Sequence, residues 1–158
     1  MKKEVRTNAM RILDARKIEY STKSYEYDEE HLDAVHAATS AGLPIEQVFK
    51  TIVMISNDNR LFVFVTPAEY EISLKKARVI TGAKEISLLK TDMLLKYTGY
   101  IRGGCSPIGM IHSYPTYVEE SAFLYDKIYV SAGLRGMQLE LNPADLVKVT
   151  GAETISFI

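Results

Sequence analysis

Two neighbouring apolar segments constrain the fold of this chain more than any other feature. Lys50–Ser56 and Leu61–Thr66 are rich in β-branched and aromatic side chains, and a turn-forming tetrapeptide at 57–60 separates them. This pattern predicts an antiparallel hairpin. Because apolar residues occupy both faces of each segment, we expect the sheet that contains the hairpin to be covered on both sides.

The remaining elements are predicted from apolar spacing and from the residues that begin or end a segment. Helices are predicted from Val5 to Leu13 and over 31–41, 73–81, 92–97 and 143–147. Strands are predicted over 24–28, 127–131, 138–141 and 154–158, the middle two joined by a glycine-rich turn. With no repeat and no linker, these elements predict one α+β domain spanning residues 1–158, with a mixed, largely antiparallel sheet.

Composition and charge exclude several classes of protein. With a net charge of −1, the chain lacks the basic excess of a general nucleic-acid coat protein. If it acts on RNA, we expect it to bind only a small part of the RNA or to depend on a partner for affinity. No apolar run approaches the roughly 20 residues of a membrane span, so no membrane partner is expected. The single cysteine, Cys105, and the charged N-terminal segment predict a cytoplasmic protein.

The histidines and the cysteine are candidate metal ligands and catalytic groups. His31, His36 and His112 lack ligand spacing among themselves and with Cys105, so no metal site is predicted. His31 and His36 are five residues apart, which is off the spacing that shares a helix face. Cys105 precedes His112 by seven residues and is a candidate nucleophile, but a small, buried, inert cysteine is the more common case.

Two glycine-rich segments and one lysine are the other candidates for a ligand-binding site. Residues 99–109 contain four glycines, which let main-chain N–H groups approach a ligand closely, but a structural loop is the simpler explanation. The turn at 131–136 has the same ambiguity. Lys50 would share a strand face with Ile52 and Met54, so it either extends to water from the strand end or is held in a pocket where it donates to a carbonyl or phosphate.

The order of four short motifs resembles one family. These motifs lie at 47–51, 98–100, 103–109 and 130–136, and together they resemble the YbaK/ProX editing domains. The resemblance implies a single α/β domain whose curved, mixed sheet holds the 3′ end of a charged tRNA. It implies that Lys50 is the catalytic side chain. The substrate-binding residues that it implies are Tyr25, Thr51, Gly103, Gly104, Pro107, Ser131 and Gly133.

The activity implied by the resemblance is trans-editing of mischarged tRNA, with Cys-tRNA(Pro) as the first substrate and Cys-tRNA(Cys) or an alanyl-tRNA as alternatives. In such deacylases the substrate's own thiol attacks the ester, so no cofactor, metal or protein nucleophile is expected. Prolyl-tRNA synthetase is a candidate partner. Relatives often carry lysines where this chain has Ile111-His112 and Leu134, which leaves open a non-catalytic paralogue that binds tRNA or a synthetase.

Overall fold

The computed structural model describes residues 5–158, which form five α helices and eight β strands. In chain order the elements are α1 (Asn8–Ala15), β1 (Ser21–Ser24), α2 (Ala34–Ala41), β2 (Phe49–Ser56), β3 (Leu61–Pro67), α3 (Leu74–Thr81), β4 (Ile86–Leu88), α4 (Leu94–Thr98), β5 (Thr116–Glu119), β6 (Ile128–Ser131), β7 (Met137–Leu141), α5 (Pro143–Thr150) and β8 (Glu153–Ile155). Short 3₁₀ helices cover Ile45–Gln47, Thr91–Met93 and Glu120–Leu124.

The predicted hairpin and fold class are confirmed. β2 and β3 pair antiparallel from Phe49–Pro67 to Ile55–Leu61, and they form the centre of a five-stranded sheet ordered β4-β2-β3-β5-β8. A second sheet is ordered β1-β7-β6 and is wholly antiparallel. Only the β3–β5 and β5–β8 pairs are parallel within residues 5–158, so the structure is α+β with largely antiparallel pairing.

The single sheet expected from the sequence is divided into two. β4 is short and pairs with β2 only at residues 54–56, after which the N–H of Leu89 donates to the carbonyl oxygen of Val53 at 2.9 Å. At the other end, Val48 makes an isolated parallel bridge to Tyr129 of β6. Between these points no strand within the described chain pairs with the outer edge of β2 at residues 49–52.

Both faces of the central hairpin are buried, as its apolar pattern predicts. On one face Phe49 and Val65 pack with α1, β6 and β7. On the other face Phe62 and Phe64 pack with α3 and with Phe157 near the C-terminus. This two-sided packing fixes the orientation of every β2 side chain, including those that border the gap in the sheet.

Several boundaries differ from the predictions. The strand predicted over 24–28 is wrong, because β1 ends at Ser24. Beyond it the N–H of Tyr25 donates to the carbonyl of Gly136 at 2.9 Å, and Asp28 makes an isolated bridge to His31. α2 begins at Ala34 because the side chain of Asp33 caps it. The helix predicted over 92–97 is instead a 3₁₀ turn followed by α4.

The helix predicted from Val5 to Leu13 is shifted, because α1 covers Asn8–Ala15 and begins after a Thr7 cap. α3 and α5 form where predicted, and the last strand is shorter than the predicted 154–158. α3 begins after a Ser73 cap and ends at Gly82, and α5 begins at Pro143 after an Asn142 cap. β8 is an edge strand as predicted, although it runs parallel to its neighbour β5. β4 and β5 have three and four residues, too few for a periodic pattern to reveal them.

Candidate functional site

A cavity of about 480 Å³ occupies the gap beside β2. Five of the eight predicted site residues line it, and they come from four separate parts of the chain. These five residues are Tyr25, Lys50, Thr51, Gly103 and Ser131. The fold therefore brings together most of the residues that the resemblance selects.

Lys50 is the second residue of β2, and its side chain is only 19% exposed. As predicted, it shares a strand face with Ile52 and Met54, which pack in the cluster on the α3 side of the sheet. Its ammonium lies 3.4 Å from the carboxylate of Glu71, whose side chain is 93% exposed. This separation exceeds the 2.7–2.9 Å of a strong charged hydrogen bond, so a substrate oxygen can replace the glutamate at little cost.

Thr51 faces the opposite side of the strand from Lys50. Because the Val53 carbonyl accepts from Leu89, the main-chain groups of alternate residues, including Thr51, point to the outer edge of β2. No strand in the described chain pairs with that edge here. The N–H and C=O of Thr51 therefore face the gap and are placed to pair with a ligand.

The two glycine segments pack against each other behind the cavity. Gly103 lines the cavity, whereas Gly104 and Pro107 are buried. A Cβ on Gly104 would lie 2.9 Å from the main-chain N of Arg135, so only glycine allows this contact. The side chain of Arg135 also donates to the carbonyl of Arg102 at 2.8 Å.

Gly133 does not line the cavity, and close packing holds it as well. Its φ is +101°, and a Cβ there would lie 2.8 Å from the ring of Tyr100. Its N–H donates to the hydroxyl of Ser131, and the N–H of Gly104 donates to the carbonyl of Ile101. These two N–H groups are therefore already bonded within their own loops.

Polar atoms in the cavity wall lack partners. Gln138 is 5% exposed and lines the cavity opposite Ser131, and its Oε1 has no hydrogen-bond partner in the described structure. Oγ1 of Thr51 is buried and unpartnered as well. Each unmet buried polar atom costs about 1–3 kcal/mol unless a ligand or water satisfies it.

Cys105 also lines the cavity, but its thiol is poorly suited to nucleophilic attack. Burial raises the pKa of Cys105 to about 12, with a hydrogen bond to Thr98 acting weakly in the other direction. The thiol is therefore protonated at neutral pH, and the thiolate is the reactive form. The ring of His112, the candidate base, lies instead against Tyr114 at a centroid distance of 6.2 Å.

The other two histidines lie together beside the cavity. His31 precedes α2, so helical spacing does not apply to the pair, and its ring stacks on that of His36 at 4.6 Å. His36 bonds through its ring and its N–H to Asp33, which lines the cavity. Burial acts to raise the pKa of Asp33, but these bonds outweigh it and the net pKa is lowered. Within residues 5–158 no group of three or more histidine, cysteine or acidic side chains is placed to hold a metal.

The cavity includes residues that the sequence did not single out, notably Asp33, Arg102 and Gln138. Gln138 was detectable in principle. It alternates with Leu139 and Leu141 in a predicted strand, so it must point away from the core, and a short hairpin would place it opposite Ser131. Asp33 and Arg102 lie in loops whose paths the sequence does not specify.

In the described part of the chain, no helix has the length and apolar character needed to cross a bilayer.

Comparison with known proteins places the chain in a family. A sequence profile for the aminoacyl-tRNA editing domain matches residues 28–149. EbsC of Enterococcus faecalis (strain ATCC 700802 / V583), a proposed Cys-tRNA(Pro)/Cys-tRNA(Cys) deacylase, is 41% identical over 152 residues, covering 96% of this chain and 93% of its own.

Two solved structures share the fold. A proposed trans-editing enzyme for prolyl tRNA synthetase superposes with a TM-score of 0.80 at 21% identity, over 98% of each chain. The hypothetical protein APE2540 superposes with a TM-score of 0.85 at 20% identity, over 96% of this chain and 99% of its own. Residues 28–149, which match the family profile, contain β2, both glycine segments and nearly all of the cavity wall. The chain belongs to the aminoacyl-tRNA editing domain family.

Proposed function

We propose that this protein is a trans-editing aminoacyl-tRNA deacylase, with Cys-tRNA(Pro) as its first substrate and Cys-tRNA(Cys) and alanyl-tRNA as the alternatives. The observation that carries the proposal is the placement of Lys50 on the wall of a cavity of about 480 Å³, within the 300–1,000 Å³ typical of small-molecule sites. Membership of the editing family and the similarity to EbsC support the substrate class.

For a cysteinyl-tRNA, the chemistry that we propose uses the substrate's own thiol as the nucleophile. The thiolate of the cysteinyl group attacks the ester carbonyl carbon, and a negative charge develops on the carbonyl oxygen. The ester C–O bond then breaks, the 3′ oxygen takes up a proton in place of the one that the thiol lost, and water opens the cyclic thioester to give free cysteine and tRNA. Holding the thiol against the carbonyl supplies much of the rate because orientation replaces a bimolecular encounter.

The protein's part in this reaction is binding and charge stabilisation. The Lys50 ammonium is placed to bind the ester carbonyl or the terminal phosphate, and the N–H of Thr51 is a second donor to the developing oxyanion. The protonated state of Cys105 agrees with a mechanism that needs no protein thiolate. Tyr25, Gly103 and Ser131 complete the proposed binding wall, and Gly104, Pro107 and Gly133 hold its loops in place.

We infer that residues 1–158 act as one editing domain in the cytoplasm, binding the 3′ end of an aminoacyl-tRNA. The near-neutral charge favours help from a partner such as prolyl-tRNA synthetase. Salt titration of tRNA binding with and without the synthetase tests this inference, and an unchanged affinity would contradict it.

The first experiment is a deacylation panel of Cys-tRNA(Pro), Ala-tRNA(Pro), Cys-tRNA(Cys) and Ser-tRNA with wild type, Lys50→Ala and Cys105→Ser. We expect one aminoacyl group to be removed, and Lys50→Ala to lower kcat/KM about 10²–10³-fold, the effect of losing one oxyanion donor. Cys105→Ser keeps lysine-dependent turnover if the substrate thiol is the nucleophile. An unaffected Lys50→Ala enzyme with an unchanged melting temperature would refute the role of Lys50.

A second candidate function is tRNA or synthetase binding without turnover. The observation that favours it is the exposure of apolar Ile111 and Leu134, where relatives often carry lysines. Tight binding of charged tRNA with no deacylation in the panel would support this candidate over the first.

A further inference from the structure

Gln138 is the most deeply buried polar residue that lines the cavity. It lies in β7 directly opposite Ser131 of β6 and Lys23 of β1. The residue is 5% exposed and its Oε1 is buried with no hydrogen-bond partner in residues 5–158. An apolar side chain of similar size would fill the same space without leaving an acceptor unpaired.

Gln138 is not the only unpaired group in this wall. Oγ1 of Thr51 is likewise buried and without a partner, and it belongs to a different sheet. Two separate strands thus present unmet polar atoms where they border the same cavity. Unmet buried polar groups in native proteins require an explanation, and a ligand whose donors match them provides one for both.

The polar groups of the cavity indicate which ligand group donates a hydrogen bond to the side-chain oxygen of Gln138. An aminoacyl ester carries an α-ammonium group, which donates hydrogen bonds and accepts none. The carboxylate that lines the cavity, Asp33, is half exposed and already bonded to His36. Deep in the wall the acceptors are neutral, and Gln138 provides one with free capacity.

A neutral acceptor also suits the proposed reaction. A carboxylate at this position would place a negative charge near the thiol that must ionise, and a like charge raises the pKa of such a group. An amide oxygen binds the ammonium without that penalty. We propose that Gln138 recognises the α-ammonium group of the aminoacyl substrate through its side-chain oxygen and thereby orients the aminoacyl end; this role rests on the proposed deacylase function.

The test compares two substrates and three proteins of full length. Wild type, Gln138→Met and Gln138→Glu are assayed with Cys-tRNA(Pro) and with N-acetyl-Cys-tRNA(Pro), in which the ammonium is replaced by an amide. We expect wild type to prefer the free amino group by about 10- to 100-fold in kcat/KM, the usual effect of a hydrogen bond to a charged group. Gln138→Met should lose most of that preference, whereas Gln138→Glu should keep it because it retains an acceptor.

Stability gives a readout that does not depend on activity. Gln138→Met removes the unpaired acceptor while nearly keeping the side-chain volume, so its melting temperature should equal or exceed that of wild type. A slow variant that is also at least as stable has lost a ligand contact and not its fold. If Gln138→Met discriminates between the two substrates as strongly as wild type, the proposal is wrong.

Failure of the deacylase function is distinguishable from failure of this inference. If wild type deacylates neither substrate, binding of 3′-cysteinylamido-adenosine and its N-acetyl form is measured by calorimetry. A preference for the free amine that disappears in Gln138→Met sustains the recognition role without turnover. An equal affinity of wild type for the two analogues contradicts it.

Discussion

At the scale of single residues, Lys50 combines partial burial with a weak ion pair. Its side chain is 19% exposed, yet its carboxylate partner, Glu71, projects almost fully into water. An exposed pair of this kind contributes only about 0–1 kcal/mol. Lys50 therefore lies at the cavity wall, and its ion pair with Glu71 is weak enough for a ligand to replace.

Glu71→Gln should lower KM for charged tRNA by about two- to fivefold, because a carboxylate that competes with substrate oxygens for Lys50 is removed. Steady-state deacylation kinetics measure the effect. Glu69→Gln is the matched control, since it removes the same charge from an exposed residue two positions away. An equal decrease in KM for both variants would mean that net charge, and not release of Lys50, is responsible.

Buried acidic groups make the protein sensitive to alkali. Burial raises the pKa of Cys105 to about 12 from about 9, so between these values the unfolded state loses this proton while the folded state keeps it. Stability contributed by the neutral thiol is present below pH 9 and is lost as pH rises toward 12. Burial raises the pKa of Tyr100 and Tyr129 in the same direction, to about 12.

We therefore expect the melting temperature to fall between pH 9 and 11, and to fall less in Cys105→Ser than in wild type. The difference should approach about 1.4 kcal/mol of unfolding free energy per pH unit above pH 9. Both proteins retain the tyrosines, so the difference reports the thiol together with its electrostatic effect on Tyr100, whose pKa it also raises. Parallel pH profiles would show that the thiol pKa is not raised.

At the scale of elements, the site depends on the contact between the two glycine segments. Gly104 packs against the main chain of Leu134 and Arg135, and no positive φ is required of it. Gly82, at the end of α3, has a φ of +73° and no atom near its absent Cβ. The first glycine is needed for space and the second for backbone conformation.

Gly104→Ala should therefore destabilise the protein by about 1–3 kcal/mol by forcing the segments apart, and it should also impair deacylation. Gly82→Ala should cost about 1–2 kcal/mol from left-handed backbone strain while leaving kcat/KM unchanged in the folded protein. Urea unfolding and kinetics on both variants separate the two effects. Equal activity in the two variants would show that the cavity tolerates movement of the segments.

At the scale of the whole molecule, the C-terminal residues close the core on the face of the sheet opposite Thr51. Phe157 is fully buried and packs on Phe64 at 5.1 Å between ring centroids. Its N–H donates to the buried carboxylate of Glu119 at 2.8 Å, and its carbonyl accepts from Ser73. These contacts join the chain end to β5 and to the start of α3.

Phe157→Ala should lower the free energy of unfolding by about 3–5 kcal/mol, the usual cost of truncating a buried aromatic side chain. Well below its melting temperature the variant should retain normal kcat/KM, because Phe157 does not line the cavity. Leu124→Ala is the control: Leu124 is 77% exposed, and its loss should change stability by less than about 0.5 kcal/mol. A large effect at Leu124 would contradict this view of the core.

The sequence by itself determined the elements whose signals are local. The β2–β3 hairpin follows from two apolar segments around a turn, and α3 and α5 follow from their cap residues and apolar spacing. The alternation along β2 also placed Lys50 on the face of Ile52 and Met54. Each of these features is set by residues a few positions apart, so short-range steric and hydrogen-bonding preferences are sufficient.

Only the tertiary structure decided where the sheet divides and which groups meet at the gap. The short strands β4 and β5 carry no readable period, and parallel pairing such as β3–β5 joins residues about 50 positions apart, beyond any local preference. The unpaired edge at Thr51, the Gly104–Arg135 contact and the unmet oxygen of Gln138 all arise from this long-range packing. Sequence motifs selected most of the cavity wall, but the close packing of distant segments fixed the polar groups it offers to a substrate.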